Sequence, residues 1–314
     1  MRTAFIHTLI KLARSDKRIF LLVGDVGFSL VEPFVKEFPE RFLNVGISEQ
    51  NMMGIATGIA LNGKVVFVYS LTNFPTLRCL EQIRDDVCYH NANVKIVAAA
   101  CGFTYGELGA THHLTEDLSI MRSLPNIKVI TPADSMETKL AIRALVKEKG
   151  PCYLRLQRTG EPIIHKTTPY FQIGKAITIH KGRNVAFIGS GTILHNAIMA
   201  EKQLILHGIS VHIISMHTVK PIDKKAILLA AKKTGAIITI EENSILGGLG
   251  GAVAEVLAES KMPGIIFKRL GIEDRFFYQI GNQEYLRGVN SLSVESIVKE
   301  TLELLNYRKN KHEI

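Results

Sequence analysis

Short apolar segments alternate with longer amphipathic ones along most of the chain. The short segments are rich in β-branched residues, which predicts buried strands: Ile19–Val23, Val65–Tyr69, Val94–Ala98, Lys128–Ile130, Tyr153–Leu156, Val185–Ile188, Val211–Ile214 and Ala236–Ile240. The longer segments repeat apolar residues at helical spacing, which predicts helices: Thr3–Arg14, Glu49–Leu61, Leu77–Asn91, Ser135–Lys147, His195–Leu206, Lys224–Lys233 and Gly250–Ala258.

This alternation of strand and helix predicts parallel sheets joined by crossover helices. It is interrupted once, at residues 160–174, where GEPIIHKTTPYFQIG contains two prolines and no clear period. Segments of that composition connect domains more often than they form regular structure. The predicted fold class is therefore α/β, with two consecutive open domains of mainly parallel strands at 1–165 and 172–314.

The composition narrows the classes of protein that fit. With 46% hydrophobic residues among 314, the chain can bury one large core or two medium ones. It contains no apolar run of the ~20 residues that a bilayer span needs, and its start lacks a small-residue cleavage site. We expect a soluble, cytoplasmic protein without a membrane partner.

Charge and cysteine usage exclude further classes. The net charge is +9, but the lysines are scattered and form few dense runs, so we expect a solvated surface that favours anionic substrates and no nucleic-acid partner. The four cysteines show neither CxxC spacing nor a cluster with histidine. We expect buried, reduced thiols and no metal site in this chain.

Glu49 is the first candidate for chemistry. It lies in the segment GISEQNM, residues 46–52, where a strand ends and a helix begins, and side chains at such strand ends face the crevice of an open sheet. In the structural alternative, Ser48 caps the helix and Glu49 only complements its positive end. Both interpretations stay open when this segment is considered alone.

Three further sequence segments favour a functional role for Glu49 over the structural alternative. Tyr69–Arg78 (YSLTNFPTLR), Gly106–His113 (GELGATHH) and Ser123–Asn126 follow GISEQNM. In this order and spacing, the four blocks resemble the pyrimidine-binding domain of the transketolase family. The second half resembles that family's C-terminal domain through Val185–Gly191 (VAFIGSG), Val219–Asp223, Ile240–Asn243 and Gly247–Gly250.

The resemblance implies a site for the pyrimidine half of thiamine diphosphate. Glu49 matches the family glutamate that hydrogen-bonds the aminopyrimidine ring, and Phe74 matches the aromatic residue that stacks on it. Leu71 stands where the family often has a second aromatic residue. Asp25 and Val26 match a pair beside the cofactor.

The resemblance also implies a substrate site. His112 matches a histidine that contacts the donor oxygen, and His113 replaces the glutamine that usually follows it. Two departures, Leu108 for an aspartate and Ala100 for a histidine, indicate a donor or acceptor other than the standard pentose phosphates. The positions that match phosphate-binding residues are Arg2, Ser29 and Arg158.

One part of a thiamine enzyme is missing. The diphosphate is held through Mg²⁺ by a Gly-Asp-Gly motif with a downstream asparagine, since a hard cation needs oxygen ligands, and the chain has no such motif. The resemblance therefore implies that an N-terminal partner subunit binds Mg²⁺ and the diphosphate. Thiamine diphosphate would then be shared between the chains of a heterotetramer.

The function implied is that of the C-terminal subunit of a split transketolase. Such an enzyme transfers a two-carbon ketol unit from a ketose phosphate donor to an aldose phosphate acceptor. The alternatives are the β subunit of a 2-oxo acid dehydrogenase's decarboxylating component, a deoxyxylulose-phosphate-synthase-like half, and a non-catalytic assembly subunit. Donor, acceptor and pathway are not specified by the sequence.

Overall fold

The protein forms two α/β units. A computed structural model describes residues 1–157 and 160–312, the last four of them by backbone alone. The strands are β1 Ile19–Val23, β2 Phe42–Asn44, β3 Val65–Leu71, β4 Val94–Ala99, β5 Lys128–Ile130, β6 Cys152–Arg155, β7 Ile177–His180, β8 Val185–Ser190, β9 Val211–Ser215, β10 Thr218–Lys220, β11 Ala236–Ser244 and β12 Ile266–Ile272. The helices are α1 Arg2–Ser15, α2 Glu32–Glu37, α3 Glu49–Leu61, α4 Leu80–Gln82, α5 Asp117–Ser123, α6 Ser135–Lys147, α7 Leu194–Leu206, α8 Lys224–Thr234, α9 Leu249–Glu259, α10 Gln283–Val289 and α11 Val294–His312.

The first sheet has seven strands in the order β10-β5-β6-β4-β3-β1-β2. Six of them run parallel, and β10 pairs with β5 antiparallel. One face packs against α1 and α6 through residues such as Phe5 and Ile142. The other packs against α3 and the helical segment that follows Thr76, through residues such as Met52 and Ile83.

The second sheet has five strands in the order β12-β11-β8-β9-β7. Four are parallel, and β7 runs antiparallel beside β9. Its faces are covered by α7 and α11 on one side and by α8 and α9 on the other. The predicted α/β class with mainly parallel sheets is confirmed.

The two units are connected by a shared strand as well as by a linker. β10 belongs to the second half in sequence, yet it pairs with β5 of the first sheet, with Thr218 opposite Ile130 and Lys220 opposite Val129. The chain therefore crosses back to the first unit after residue 215. The division at 1–165 and 172–314 stays a prediction.

The predicted elements all contain helix or strand in the structure, but one helix differs. Leu77–Asn91 is not a continuous α-helix: a 3₁₀ turn at Leu77–Cys79 leads into α4, and a π-helix follows at Ile83–Cys88. The N–H of Tyr89 donates to the carbonyl of Arg84, a spacing of five residues. Such π segments add a residue to the turn and shift the side chains that follow.

Several elements were not predicted. β2 is short and half exposed, β12 mixes charged and apolar residues, and α11 is largely polar, so none shows a strong periodic signal. None of the helices in the described ranges is long and apolar enough to cross a membrane. The four cysteines are buried and unpaired, as expected.

The topology fixes where a site can form. β1, β3 and β4 are parallel neighbours, so the loops that follow them emerge at one edge of the first sheet. Crevices at the carboxyl ends of parallel strands are the usual ligand sites of open α/β sheets. The loops at this edge carry the candidate residues.

Candidate functional site

Glu49 lies buried at the carboxyl edge of the first sheet. It is the first residue of α3 and is 2% exposed. Ser48 precedes it but forms no side-chain cap hydrogen bond, so the structural alternative of a capped helix start does not account for this pair. A Cβ atom on Gly24, which follows β1, would lie 3.2 Å from Cγ and 3.4 Å from Oε1 of Glu49. A glycine at this position therefore keeps the Oε1 side of the carboxylate approachable.

Arg78 pairs with this carboxylate. Its Nη1 donates to Oε2 of Glu49 at 2.8 Å, and its Cζ lies 4.4 Å from the centroid of the Phe74 ring. A cation therefore faces the buried carboxylate of Glu49. The Arg78 side chain is 44% exposed, so it can turn away at modest cost.

His112 completes the same cluster. Its ring meets the Phe74 ring edge-on with centroids 5.7 Å apart, and it meets Tyr105 edge-on at 6.2 Å. Nδ1 lies 3.0 Å from the hydroxyl of Thr111, which leaves Nε2 as the nitrogen for another partner. The structure therefore brings together Glu49, Phe74 and His112, the three residues on which the sequence argument depended.

His113 has a different environment. It is buried, its Nε2 lies 3.1 Å from the carbonyl oxygen of Gly106, and its ring packs edge-on against Phe103. These contacts hold the 106–113 loop in place.

The remaining cofactor candidates lie around this cluster. Leu71 ends β3, and its carbonyl accepts from the N–H of Phe74 at 3.1 Å; Leu71 and Val26 both pack at the edge of the first core. Asp25 is exposed and has a φ of +53°. The Asn44 amide holds it, accepting from the Asp25 N–H at 3.0 Å and donating to Asp25 Oδ1 at 3.3 Å. Asn44 was not predicted from the sequence as part of this site.

The three phosphate candidates do not converge in the described contacts. Arg2 Nη1 lies 3.5 Å from the Tyr105 hydroxyl, so Arg2 is not merely a solvated terminal charge. Ser29 is exposed, and its N–H donates to Glu32 at 2.7 Å, which places a carboxylate beside it. Arg158 lies outside the described residues.

The two departures from the family pattern occupy different environments. Leu108 is 56% exposed at the end of a short turn in the 106–113 loop. Ala100 is buried with a φ of +59°, in the left-handed region that residues other than glycine seldom adopt. Neither side chain can form a hydrogen bond, so recognition of neutral hydroxyls by these two positions is absent.

A buried ion pair supports the loop that carries His112. The Asp117 carboxylate accepts from the Tyr153 hydroxyl at 2.5 Å and from Nε of Arg155 at 2.7 Å. The same guanidinium donates to the carbonyls of Leu114 and Glu242, both at 3.0 Å. The Leu114 carbonyl also accepts from Gly102, so this cluster fixes both ends of residues 102–114.

The nearby thiols are not nucleophiles. Burial, with the charge of Glu49 adding to it, raises the pKa of Cys79 to about 12. Burial, followed by the charge of Asp117, raises the pKa of Cys101 to about 12. Both stay protonated at neutral pH, and the thiolate is the reactive form of cysteine. In the described part of the chain, no group of three His, Cys, Asp or Glu residues could hold a metal ion.

Comparison with known families identifies the chain. The family described as "Transketolase, pyrimidine binding domain" matches residues 1–161, and "Transketolase, C-terminal domain" matches 174–294. The chain belongs to the transketolase family. A putative transketolase C-terminal section from Methanocaldococcus jannaschii is 41% identical over 306 residues, covering 96% of this chain and 95% of the relative.

One further relative is described as a transketolase subunit and one solved structure as a split-gene transketolase. A 6-deoxy-6-sulfo-D-fructose transketolase subunit from a Clostridium species is 36% identical over 312 residues, covering 98% of this chain and 96% of the relative. A solved split-gene transketolase, described as an inactive β4 tetramer, has a TM-score of 0.89 and 35% identity. That match covers 97% of this chain and 98% of the other.

Membership of the transketolase family implies use of thiamine diphosphate. The residues present fit the pyrimidine half of that cofactor: a buried carboxylate can exchange a proton with a ring nitrogen, and an aromatic ring at the same edge can stack on the pyrimidine. Glu49 and Phe74 are those two groups, and Gly24 leaves space beside the first of them.

Proposed function

We propose that the chain is the C-terminal subunit of a split transketolase. It would transfer a two-carbon ketol unit from a ketose phosphate, or a related ketose, to an aldose acceptor. The observation that carries this proposal is the convergence of Glu49, Phe74 and His112 at one edge of the first sheet. Arg78 links the first two of these residues.

Each of these residues has a defined task in the proposed reaction. When bound, thiamine diphosphate supplies the nucleophilic carbon and the electron sink. The Glu49 carboxyl group would hold and exchange a proton with the pyrimidine ring nitrogen, with Oε1 available beside Gly24. Phe74 would stack on the ring, which stabilises binding by about 1 kcal/mol beyond the buried area. His112 would donate from Nε2 to the substrate oxygen as charge develops there.

The partner subunit is part of the proposal. An N-terminal subunit would hold Mg²⁺ and the diphosphate, which would complete the cofactor site between two chains. The subunit names of the relatives and the description of the solved neighbour as an inactive β4 tetramer support this requirement. We propose a heterotetramer of two N-terminal and two C-terminal subunits. The chain alone would assemble without activity.

The test is reconstitution. The chain is co-produced with a candidate N-terminal subunit, and ketol transfer is measured with thiamine diphosphate and Mg²⁺, together with the assembly mass by native mass spectrometry. Glu49→Gln keeps the side-chain volume but removes the exchangeable carboxyl proton. We expect it to lower kcat by about 10²- to 10⁴-fold, the usual contribution of general acid-base catalysis. Glu81→Gln, at an exposed position on α4, is the matched control.

The alternatives give different results in this assay. Decarboxylation of pyruvate without ketol transfer would indicate a synthase-like or dehydrogenase-type subunit. A wild-type rate in the Glu49→Gln complex would indicate that this chain only supports assembly.

A further inference from the structure

Tyr105 lies between two residues of the proposed substrate site. Its hydroxyl is 3.5 Å from Nη1 of Arg2, and its ring meets the ring of His112 edge-on with centroids 6.2 Å apart. It is only partly buried. The side chain of Tyr105 therefore contacts both the Arg2 guanidinium and the His112 imidazole.

Two hydrogen-bond donors near Tyr105 lack an acceptor. Nε of Arg2 and the hydroxyl of Tyr69 are buried and have no hydrogen-bond partner within the described ranges. Tyr69 is 0% exposed on β3, where its ring stacks on Phe5. Leaving a buried donor unsatisfied costs about 1–3 kcal/mol. An unsatisfied Nε–H on the Arg2 guanidinium, together with the unsatisfied hydroxyl of Tyr69 nearby, indicates that an acceptor-rich ligand belongs here.

Protonation keeps these groups as donors. Burial raises the pKa of Tyr69, while the positive charge of Arg2 opposes that rise and the neighbouring Tyr105 and Cys101 add to it. The Tyr69 hydroxyl therefore stays protonated at neutral pH. Arginine remains charged and donates through a fork that suits tetrahedral oxyanions. The hydroxyls of Tyr69 and Tyr105 add neutral, directional hydrogen-bond donors beside the Arg2 guanidinium.

We propose that Tyr105 determines substrate specificity: with Arg2 it binds the terminal oxyanion of the sugar, and its ring positions His112. This inference rests on the function proposed above. A phosphate and a sulfonate share the tetrahedral oxyanion that these donors would recognise. Leu108 and Ala100 offer no donors for neutral hydroxyls, so discrimination falls on the anionic end of the sugar.

Two substitutions separate the two roles of Tyr105. Tyr105→Phe removes the hydroxyl and keeps the ring, whereas Tyr105→Leu removes both. The matched control is Tyr89→Phe: Tyr89 is 83% exposed and meets His90 edge-on at 5.6 Å, so it reproduces the tyrosine-histidine contact away from the site.

The first experiment does not depend on catalysis. The full chain is titrated with inorganic phosphate and, separately, with methanesulfonate. Binding is followed through the side-chain NMR signal of His112, which is assigned with a His112→Asn variant. We expect Tyr105→Phe to weaken binding of the preferred anion about tenfold to a hundredfold, the range for a hydrogen bond to a charged group. The Tyr89→Phe control should bind as the wild type does. Equal affinities for Tyr105→Phe and wild type would overturn the proposal.

The second experiment uses the reconstituted complex. Tyr105→Phe should raise KM for a phosphorylated or sulfonated sugar by a similar factor, and should raise KM less for the uncharged sugar, which has no oxyanion for the hydroxyl to bind. Tyr105→Leu should also lower kcat, because His112 loses the ring that it packs against. Equal losses of kcat/KM on charged and uncharged sugars would overturn an oxyanion-binding role. Failure of the proposed function would appear separately, as no ketol transfer by the wild-type complex.

Discussion

At the scale of single residues, the site depends on a charged pair that the solvent does not reach. Asp117 and Arg155 are 0% and 3% exposed, and together they hold residues 102–114. Taking both charges out of water is costly, and the pair repays that cost only when each remaining donor and acceptor is satisfied. The carbonyls of Leu114 and Glu242 satisfy Nη2 of Arg155, whereas Oδ1 of Asp117 is buried without a hydrogen-bond partner among the described residues.

We expect Asp117→Ala to destabilise the protein by about 3–5 kcal/mol, because it leaves the Arg155 guanidinium buried without a counter-charge. Urea unfolding measures the loss. The control is Asp85→Ala, which breaks the Arg84–Asp85 pair, whose side chains are 68% and 50% exposed. It should cost less than about 1 kcal/mol. Equal losses for the two variants would contradict the role assigned to burial.

The positions of residues that follow parallel strands could be predicted from the sequence. The side-chain contacts between residues of different loops could not. Glu49 could be placed at the end of a strand from the pattern of the chain, whereas Phe74 was implied by the resemblance to the transketolase family. The pairing of Arg78 with Glu49, the Asn44 clamp on Asp25 and the contact of Tyr105 with Arg2 depend on side-chain directions after irregular turns. The 3₁₀ turn and π-helix after Thr76 change those directions without a periodic signal.

At the scale of elements, the start of α6 anchors the segment that joins the two units. Oδ1 of Asp134 caps the helix by accepting from Met136 and Glu137, both at 2.8 Å. Its other oxygen accepts from the N–H groups of Ile164 and His165 at 3.0 and 3.3 Å. One carboxylate therefore starts a helix and fixes residues that were predicted only as an irregular connection.

His165 makes this anchor sensitive to pH. Its Nε2 lies 2.7 Å from Oε1 of Glu137. Burial opposes the charged imidazolium, but the hydrogen bond to Glu137, its charge and that of Asp134 more than offset this and raise the pKa of His165. Burial likewise opposes the Glu137 carboxylate, yet the hydrogen bond from His165, the charges of His217 and His165, and the N–H of Ala133 lower its pKa.

The stabilisation from this pair should depend on pH. The His165 contribution is fully present below the ordinary histidine pKa of about 6.5 and is lost as pH rises through the raised value. The Glu137 contribution is lost as pH falls through its lowered pKa. We expect the difference in unfolding free energy between wild type and His165→Gln to be larger at about pH 5.5 than at about pH 9. The exposed His7→Gln is the control, and a pH-independent difference for His165→Gln would contradict the assignment.

At the scale of the whole molecule, the two units are joined by more than their linker. β10 extends the first sheet, and the carbonyl of His217 accepts from the N–H of Thr131 at 2.8 Å. A strand that pairs away from its own sequence neighbours gives no local signal. Independent domains were therefore the natural prediction from periodicity.

Glu242 forms the buried centre of this junction. It is 2% exposed on β11, and its carboxylate accepts from the N–H of Phe103 at 2.8 Å, from Gln283 at 2.9 Å and from Nε of Arg287 at 2.5 Å. A Cβ atom on Gly102 would lie 2.1 Å from Oε1 of Glu242. The close approach of the two units at this point therefore requires a glycine in the first unit and a carboxylate in the second.

We expect Glu242→Ala to separate the unfolding of the two units. It removes the buried partner of Arg287, which keeps its ion pair with the exposed Glu284, and it leaves the N–H of Phe103 unsatisfied, so it should cost about 3 kcal/mol. Differential scanning calorimetry should show one transition for the wild type, and a lowered or divided transition for the variant. Glu255→Ala is the matched control, since Arg122 and Glu255 also join the two units, but Glu255 is 59% exposed. Exposed pairs contribute less than about 1 kcal/mol. If both variants unfold alike, contact across the surface rather than the buried carboxylate couples the two units.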